Sequence, residues 1–307
     1  MGDRLKGKVA VVTGSGRGIG RAEALALAAE GAKLVINDLG GAWDGSGSSQ
    51  TPAGEVCEEI KKMGGEAVPN YDSVATAEGG ENIIKTAIDA FGKIDILVNN
   101  AGFLRDRMIF NMSEDEWDAI IKVHLYGTFH CTRPATVYMR QQRSGRIINT
   151  ASISGLGNLG QANYSAAKEG IVGFTRTVAQ DMARYGVTCN AIRPNAATRM
   201  TMTDELKGKI AKAAAAQGIT KPEDIDKYFN QMFASKPEHN APIVVYLATD
   251  AAAYITGRTF FINANTIGFY TEPQITSQIN KDGDVWTLDE LLKEVPEKLC
   301  KELVKPA

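Results

Sequence analysis

Short runs of β-branched and aliphatic residues recur along the chain: Val9–Thr13, Lys33–Asn37, Glu66–Val68, Ile94–Val98, Arg146–Asn149, Val187–Ile192 and Arg258–Asn263. Between the earlier ones lie alanine-rich stretches of helical period, Gly20–Ala29, Ala53–Met63 and Ala77–Phe91. Regular alternation of the two patterns predicts a parallel sheet with helices on both faces. Ile94-Asp-Ile-Leu-Val98 is apolar almost throughout, as in strands covered on both sides. The expected fold class is α/β, a doubly wound parallel sheet in three αβα layers, and no internal repeat competes with it.

Two segments break this rhythm. Gly40–Gly54, rich in glycine and serine, reads as a loop inserted after the second strand. Arg199–Pro237 is polar, helical and lysine-bearing, either a lid over a substrate or a surface helix pair. The sheet domain is expected to span residues 1–268, and residues 269–307 to form a C-terminal helical extension. There Thr287-Leu-Asp-Glu290 matches a capping box, and Leu288, Leu291, Leu292 and Val295 share one helical face until Pro296 interrupts it. That stripe packs either on its own subunit or across an oligomer interface.

Composition narrows the class. The 307 residues are 44% hydrophobic and 23% charged, the balance of a folded globular chain. With 34 basic and 36 acidic residues the net charge is -2, so no basic field favours nucleic acid or an anionic membrane surface. No apolar run approaches the ~18–20 residues of a membrane helix. The first strand pattern begins within a few residues of Met1, which leaves no signal peptide expected. Scattered Cys57, Cys131, Cys189 and Cys300 read as reduced, buried thiols of a cytoplasmic protein. His124, His130 and His239 lack ligand spacing, so no metal site is expected.

Thr13-Gly-Ser-Gly-Arg-Gly-Ile-Gly20 joins the first strand to the first helix, with Gly14, Ser15, Arg17, Gly18, Ile19 and Gly20 as candidate pyrophosphate contacts. Glycines permit a sharp turn and close approach, while the helix N-terminus attracts negative charge, as in Rossmann-type sites. Asp38 ends the second strand, 24 residues after Gly14 (38 minus 14). A carboxylate there accepts from both ribose hydroxyls and repels a 2′-phosphate, so the expected cofactor is NAD. Arg17, which can meet a 2′-phosphate or simply face water, is the contrary hint. Asp72 and Ser73 follow the third strand, where they meet adenine or cap the next helix. Asn99-Asn100-Ala101-Gly102 follows the fourth strand at the sheet's carboxyl edge, where ligands bind in this architecture.

Tyr164 and Lys168 share a helix face at i, i+4, and Ser152 precedes the tyrosine by 12 residues (164 minus 152). Among nine tyrosines such a pair is a weak signal by itself, and its place after the fifth strand gives it value. A phenol with a pKa near 10 needs ~4 kcal/mol to fall by ~3 units. One ammonium at ~4 Å supplies about that at an effective dielectric of ~20. Ser152 is then placed to hold the alcohol or carbonyl oxygen during hydride transfer.

The glycine loop, Asn99-Asn-Ala-Gly102 and Ser152 with Tyr164-x-x-x-Lys168 together resemble the short-chain dehydrogenase/reductase family from Leu5 to about Gly268. Val35–Gly41, Asn70–Val74, Leu104–Arg107, Val123–Leu125, Gly160–Tyr164 and Pro194–Ala196 are similar to the (3R)-hydroxyacyl-CoA dehydrogenase part of peroxisomal multifunctional enzyme type 2 and its bacterial stand-alone relatives. The resemblance implies NAD-dependent oxidation of a small-molecule substrate, a 3-hydroxyacyl-CoA thioester, by a homodimer or homotetramer. Relatives also accept hydroxysteroids and other secondary alcohols, and a non-catalytic dinucleotide-binding subunit is the reading of another class. The resemblance places Pro194 beside the cofactor and His124 where most of the family has an asparagine in the catalytic group. Ala151 replaces one serine of a usual pair, and the loop Gly155–Gly160 is one residue short, leaving Ser154 a rival to Ser152. Arg105, Arg107, Arg199 and Lys207 are candidates for the coenzyme A phosphates.

Overall fold

The computed structural model describes residues 2–41, 46–196, 235–283 and 285–303, with isolated positions between 208 and 225. Strands β1 (Val9–Thr13), β2 (Lys33–Asn37), β3 (Ala67–Asn70), β4 (Ile96–Asn99), β5 (Gly145–Thr150), β6 (Val187–Pro194), β7 (Thr259–Asn263) and β8 (Thr266–Phe269) form one sheet. Their order is β3-β2-β1-β4-β5-β6-β7-β8. The first seven are parallel, as the alternating pattern predicts. The eighth is an addition, paired antiparallel to β7 so that Asn263 faces Thr266. Between them Ala264 takes φ +49, the left-handed conformation a tight hairpin demands.

Helices α1 (Gly18–Ala29), α2 (Thr51–Lys62), α3 (Ala77–Phe91), α4 (Glu114–Ile121), α5 (Gly127–Gln142), α6 (Ala162–Met182) and α7 (Ala241–Ala248) connect the strands. The segment read as loop to Gly54 already turns helical at Thr51, because Pro52 sits in the first turn, where its missing N–H costs nothing. Residues of β1 alternate between two cores. Ala10 and Val12 pack with α1, α2 and α7 residues such as Leu27, Ile60 and Val244. Val9 and Val11 pack with Ile83, Ala135 and Met182 on the other face. The chain reverses its lateral progress between β1 and β4, so the loops after these strands flank a topological switch point.

Two buried features stand apart. Glu23 on α1 is fully buried, neither carboxylate oxygen has a hydrogen-bonding partner, and burial pushes its pKa up to about 8. Cys57, Cys131 and Cys189 are buried free thiols, whereas Cys300, expected to be buried, is half-buried. Among the described residues no helix is long and apolar enough to cross a membrane.

The contacts divide the chain into Met1–Tyr270 and Thr271–Ala307. Within the latter, α8 (Leu288–Glu294) opens on the expected capping box, Thr287 accepting from the Glu290 amide while the Glu290 carboxylate accepts from the Thr287 amide. Pro296 does not stop the helical path, which widens into a π turn over Val295–Leu299 that accommodates the ring. Leu288 and Leu292 of the apolar stripe are exposed.

Candidate active site

The glycine loop is shaped first by its protein neighbours. Gly14 has φ +63, and a Cβ there would lie 2.7 Å from the Ala101 Cα. A Cβ on Gly20 would lie 2.3 Å from the Asn100 side-chain amide, which donates to the carbonyls of Thr13 and Gly14 at 3.0 and 3.1 Å. The loops after β1 and β4 thus lock together through backbone. The buried Ser15 hydroxyl is also taken up internally, donating to the Val12 carbonyl at 2.7 Å. Arg17 is exposed at the N-cap of α1, which has no side-chain cap, and Gly18 and Ile19 begin the helix. An uncapped first turn behind a glycine loop suits an oxyanion such as a pyrophosphate.

Asp38 leans back over this loop. One carboxylate oxygen accepts from the Gly16 amide at 2.8 Å, the other from the Gly40 amide at 2.6 Å. Each oxygen keeps a further lone pair for a donor such as a sugar hydroxyl. Asp72 accepts from the Asn70 side chain at 2.8 Å, and Ser73 accepts from the Ala75 amide at 3.3 Å. Neither caps α3; Thr76 does, accepting from the Gly79 amide at 3.1 Å. Asn99 braces β5 by donating to Asn149 at 2.8 Å and also reaches Thr132 at 3.0 Å.

Ser152, Tyr164 and Lys168 come together beyond the carboxyl end of β5. Lys168 Nζ donates to the Thr150 carbonyl at 2.5 Å and lies 5.5 Å from the centroid of the Tyr164 ring. The Ser152 side chain acts to lower the phenol's pKa, which sets this serine rather than Ser154 beside the tyrosine. The Ser154 amide instead donates to the Ser152 hydroxyl at 3.1 Å. Burial dominates the electrostatics here. It raises Tyr164 to about 12, against a lowering by Ser152 and alongside a smaller raising by Asp106. It lowers Lys168 to about 7. The sequence argument expected the ammonium to pull the phenol down; a desolvated lysine half-neutral near pH 7 cannot exert a full charge.

His124 occupies the π turn Lys122–Tyr126 between α4 and α5 and stands edge-on to Tyr164, ring centroids 5.1 Å apart and planes at 88°. Burial, then Lys168, holds it well below the ordinary imidazole pKa, so the ring is neutral. Nε2 lies 2.8 Å from the Phe103 carbonyl, and Nδ1 is buried without a partner. Gly102 is the reason it fits, since a Cβ there would meet the imidazole at 2.1 Å.

Sequence reasoning passed over several residues that hold this arrangement. Asn163 is buried, accepts from the Tyr164 amide at 2.7 Å, and donates to the carbonyls of Arg105 and Glu116 at 3.0 and 2.9 Å. Gln161 donates to Asp106 at 2.9 Å. Together they pin the Leu104–Arg107 loop against the start of α6. Arg193, one residue beyond the run Val187–Ile192 read as a strand, is buried behind Ser152 near the end of β6, just before Pro194. Of the expected phosphate contacts, Arg107 pairs with Glu116 at 3.0 Å and Arg105 lies 5.5 Å from the Phe103 ring centroid. Arg199, Lys207 and most of the Arg199–Pro237 segment lie outside the described residues.

The family model for short chain dehydrogenases matches residues 8–211. The chain is 42% identical over 298 residues to peroxisomal multifunctional enzyme type 2 of Mus musculus, covering 97% of this chain but only 37% of that protein. It is 39% identical over 300 residues to the hydroxyacyl-CoA dehydrogenase ChsB1 of Mycobacterium tuberculosis, covering 94% of this chain and 87% of that one. A crystal structure of a short chain dehydrogenase from Mycobacterium avium superposes with a TM-score of 0.79 at 41% identity, covering 98% of this chain and 97% of that one. The loop lock at the switch point, the eight-stranded sheet and these matches agree: the chain belongs to the short-chain dehydrogenase/reductase family, enzymes that act on CH–OH groups.

Proposed function

We propose that this chain oxidises a 3-hydroxyacyl-CoA to its 3-oxoacyl thioester with NAD, in a β-oxidation type of reaction. The observation that carries the reading is the convergence of the Ser152 hydroxyl, the Tyr164 phenol and the Lys168 ammonium beside the uncapped glycine loop. NAD, when bound, supplies the hydride acceptor. The first turn of α1 and residues Gly14 to Gly20 fit its pyrophosphate, and Asp38 fits the ribose hydroxyls and disfavours a 2′-phosphate. Asp72 and Ser73 would meet its adenine, and Asn99 to Gly102 with Pro194 would meet its nicotinamide.

Ser152 orients the substrate oxygen by hydrogen bonding, and Tyr164 takes the alcohol proton. It does so as the phenolate, which Lys168 in its protonated form stabilises, and the proton gained then passes to solvent to regenerate the base. His124, neutral and wedged against the phenol, holds the ring in place. The name of the mycobacterial relative supports the acyl-CoA class. A homodimer or homotetramer belongs to the same reading, supported by Tyr126, Phe129 and Val137, apolar and exposed around α5.

One observation favours a second substrate class. Arg107 is engaged by Glu116, while Leu156 and Leu159, in the loop after Ser152, are apolar and exposed. A hydroxysteroid or alicyclic alcohol needs such surface and no phosphate contact. Nicotinamide absorbance with a panel of 3-hydroxyacyl-CoA thioesters and hydroxysteroids, each with NAD and NADP, tests both. Turnover of thioesters with NAD is expected; turnover of sterols alone selects the second class, and no turnover of any alcohol overturns both.

A further inference from the structure

We propose that the ion pair between buried Arg193 and half-exposed Glu169 is a positioning device for Ser152, one that ties the serine loop to the helix carrying Tyr164 and Lys168. The inference deepens the functional reading above and rests on its assignment of Ser152. The Arg193 side chain is 3% exposed. One guanidinium nitrogen donates to the Ser152 carbonyl at 2.5 Å, and another donates to the Glu169 carboxylate at 2.6 Å. The guanidinium carbon lies 5.0 Å from the centroid of the Tyr270 ring, which follows β8.

Three features make this more than a structural tie. The bridge lands on the serine itself, whose carbonyl also accepts from the Gly155 amide at 3.1 Å. The turn Ile153–Leu156 closes tightly around it: a Cβ on Gly155 would lie 2.7 Å from the guanidinium and 2.9 Å from Glu169. Its far end, Glu169, directly follows Lys168 on α6, so one cation sets the distance between the two halves of the catalytic group. A buried guanidinium needs its charge answered, which Glu169 does while Nε stays buried without a partner, and its rigid fork can serve two acceptors on different elements where an ammonium serves as a point. The bridge also answers how a serine loop one residue short keeps its serine on the phenol.

The test uses the full chain with Arg193→Met and Arg193→Lys, assayed on whichever secondary alcohol the wild type oxidises. Arg193→Met is expected to lower kcat about 10- to 100-fold, the scale of a misplacement near 1 Å, with NAD affinity retained. Arg193→Lys is expected not to restore it. In a Ser152→Ala background the same substitution should cost nothing further, because an effect exerted through the serine vanishes with its hydroxyl. Equal fold losses in both backgrounds, or wild-type kcat in Arg193→Met, overturn the inference. Should Arg193→Met fail to fold, Glu169→Ala is expected to lower kcat and Glu169→Gln, which keeps an acceptor oxygen, to recover most of it; an undiminished Glu169→Ala overturns the inference. A wild type that oxidises no alcohol sinks the functional reading instead. Crystal structures then decide this one: a displaced Ser152 hydroxyl in the variant supports it, an unmoved one overturns it.

Discussion

The two ends of the cleft solve opposite problems. Around the glycine loop, polar groups are answered by backbone: Asp38 by the Gly16 and Gly40 amides, Asn100 by two carbonyls, Ser15 by another. Around the part-exposed Tyr164, Lys168 and His124 are sealed in, and desolvation drives the phenol up, the lysine to about 7 and the histidine down. The first end is preorganised by shape and offers uncapped amides to an incoming charge. The second holds groups whose ionisation is costly, which leaves their charge responsive to whatever binds beside them.

Substitutions can break this contrast, and the sharpest is Tyr164→Phe. It should lower kcat by about 10³-fold while NAD binding, followed by calorimetry, is unchanged. Loss of NAD binding would show that the two ends are not separable.

Glu23 is the exception within the first region, a carboxyl sealed into the helix that leaves the glycine loop. Its folded pKa of about 8 lies above the ordinary value of 4.5, so the folded state holds the proton more tightly. Stability from this group is therefore full below about pH 4.5 and is lost as pH rises to about 8. Glu23→Leu should raise stability by a few kcal/mol at pH 8 and by little at pH 5, read from urea melts at both. Equal gains at the two values would refute burial of an ionisable group as the cause.

Gly102→Ala probes the seam between the ends. The added methyl should cost about 1–3 kcal/mol by overpacking against the imidazole, and His124→Ala in the same chain should return most of it. A full penalty in the double variant would place the clash elsewhere. The smallest effect expected is at Asp38→Ala, with NAD preference over NADP falling about tenfold in kcat/KM, as the loss of one ~1.4 kcal/mol discrimination implies. A variant with wild-type preference would remove the carboxylate from the specificity argument.

What could be read in advance follows the same division. Strands β1 and β2 have the expected bounds because their aliphatic runs, Val9–Val12 and Leu34–Ile36, are flanked by polar residues. Strand β8 was illegible: Thr266-Ile-Gly-Phe269 is short, mostly exposed and contains a glycine, and only pairing with β7 makes it a strand. Spacing sufficed to bring Ser152, Tyr164 and Lys168 together, but not to set their ionisation, because a distance argument in partly aqueous dielectric omits burial. Gly102 looked like a floor for a ligand; its missing side chain is required by a histidine 22 positions later (124 minus 102), a contact no local pattern announces. Arg193 sat unseen just past the strand run Val187–Ile192 for the same reason.

The five-residue π turn that seats His124 contains one residue more than regular helix would use. Deleting a single codon there would remove the bulge and restore regular helix from α4 into α5, leaving both flanking helices on their present faces while withdrawing the imidazole, which the bulge itself aims, from the phenol. The histidine's place against the phenol is thus a matter of chain length as much as of residue identity, and one residue removed can undo it with Tyr164 itself untouched.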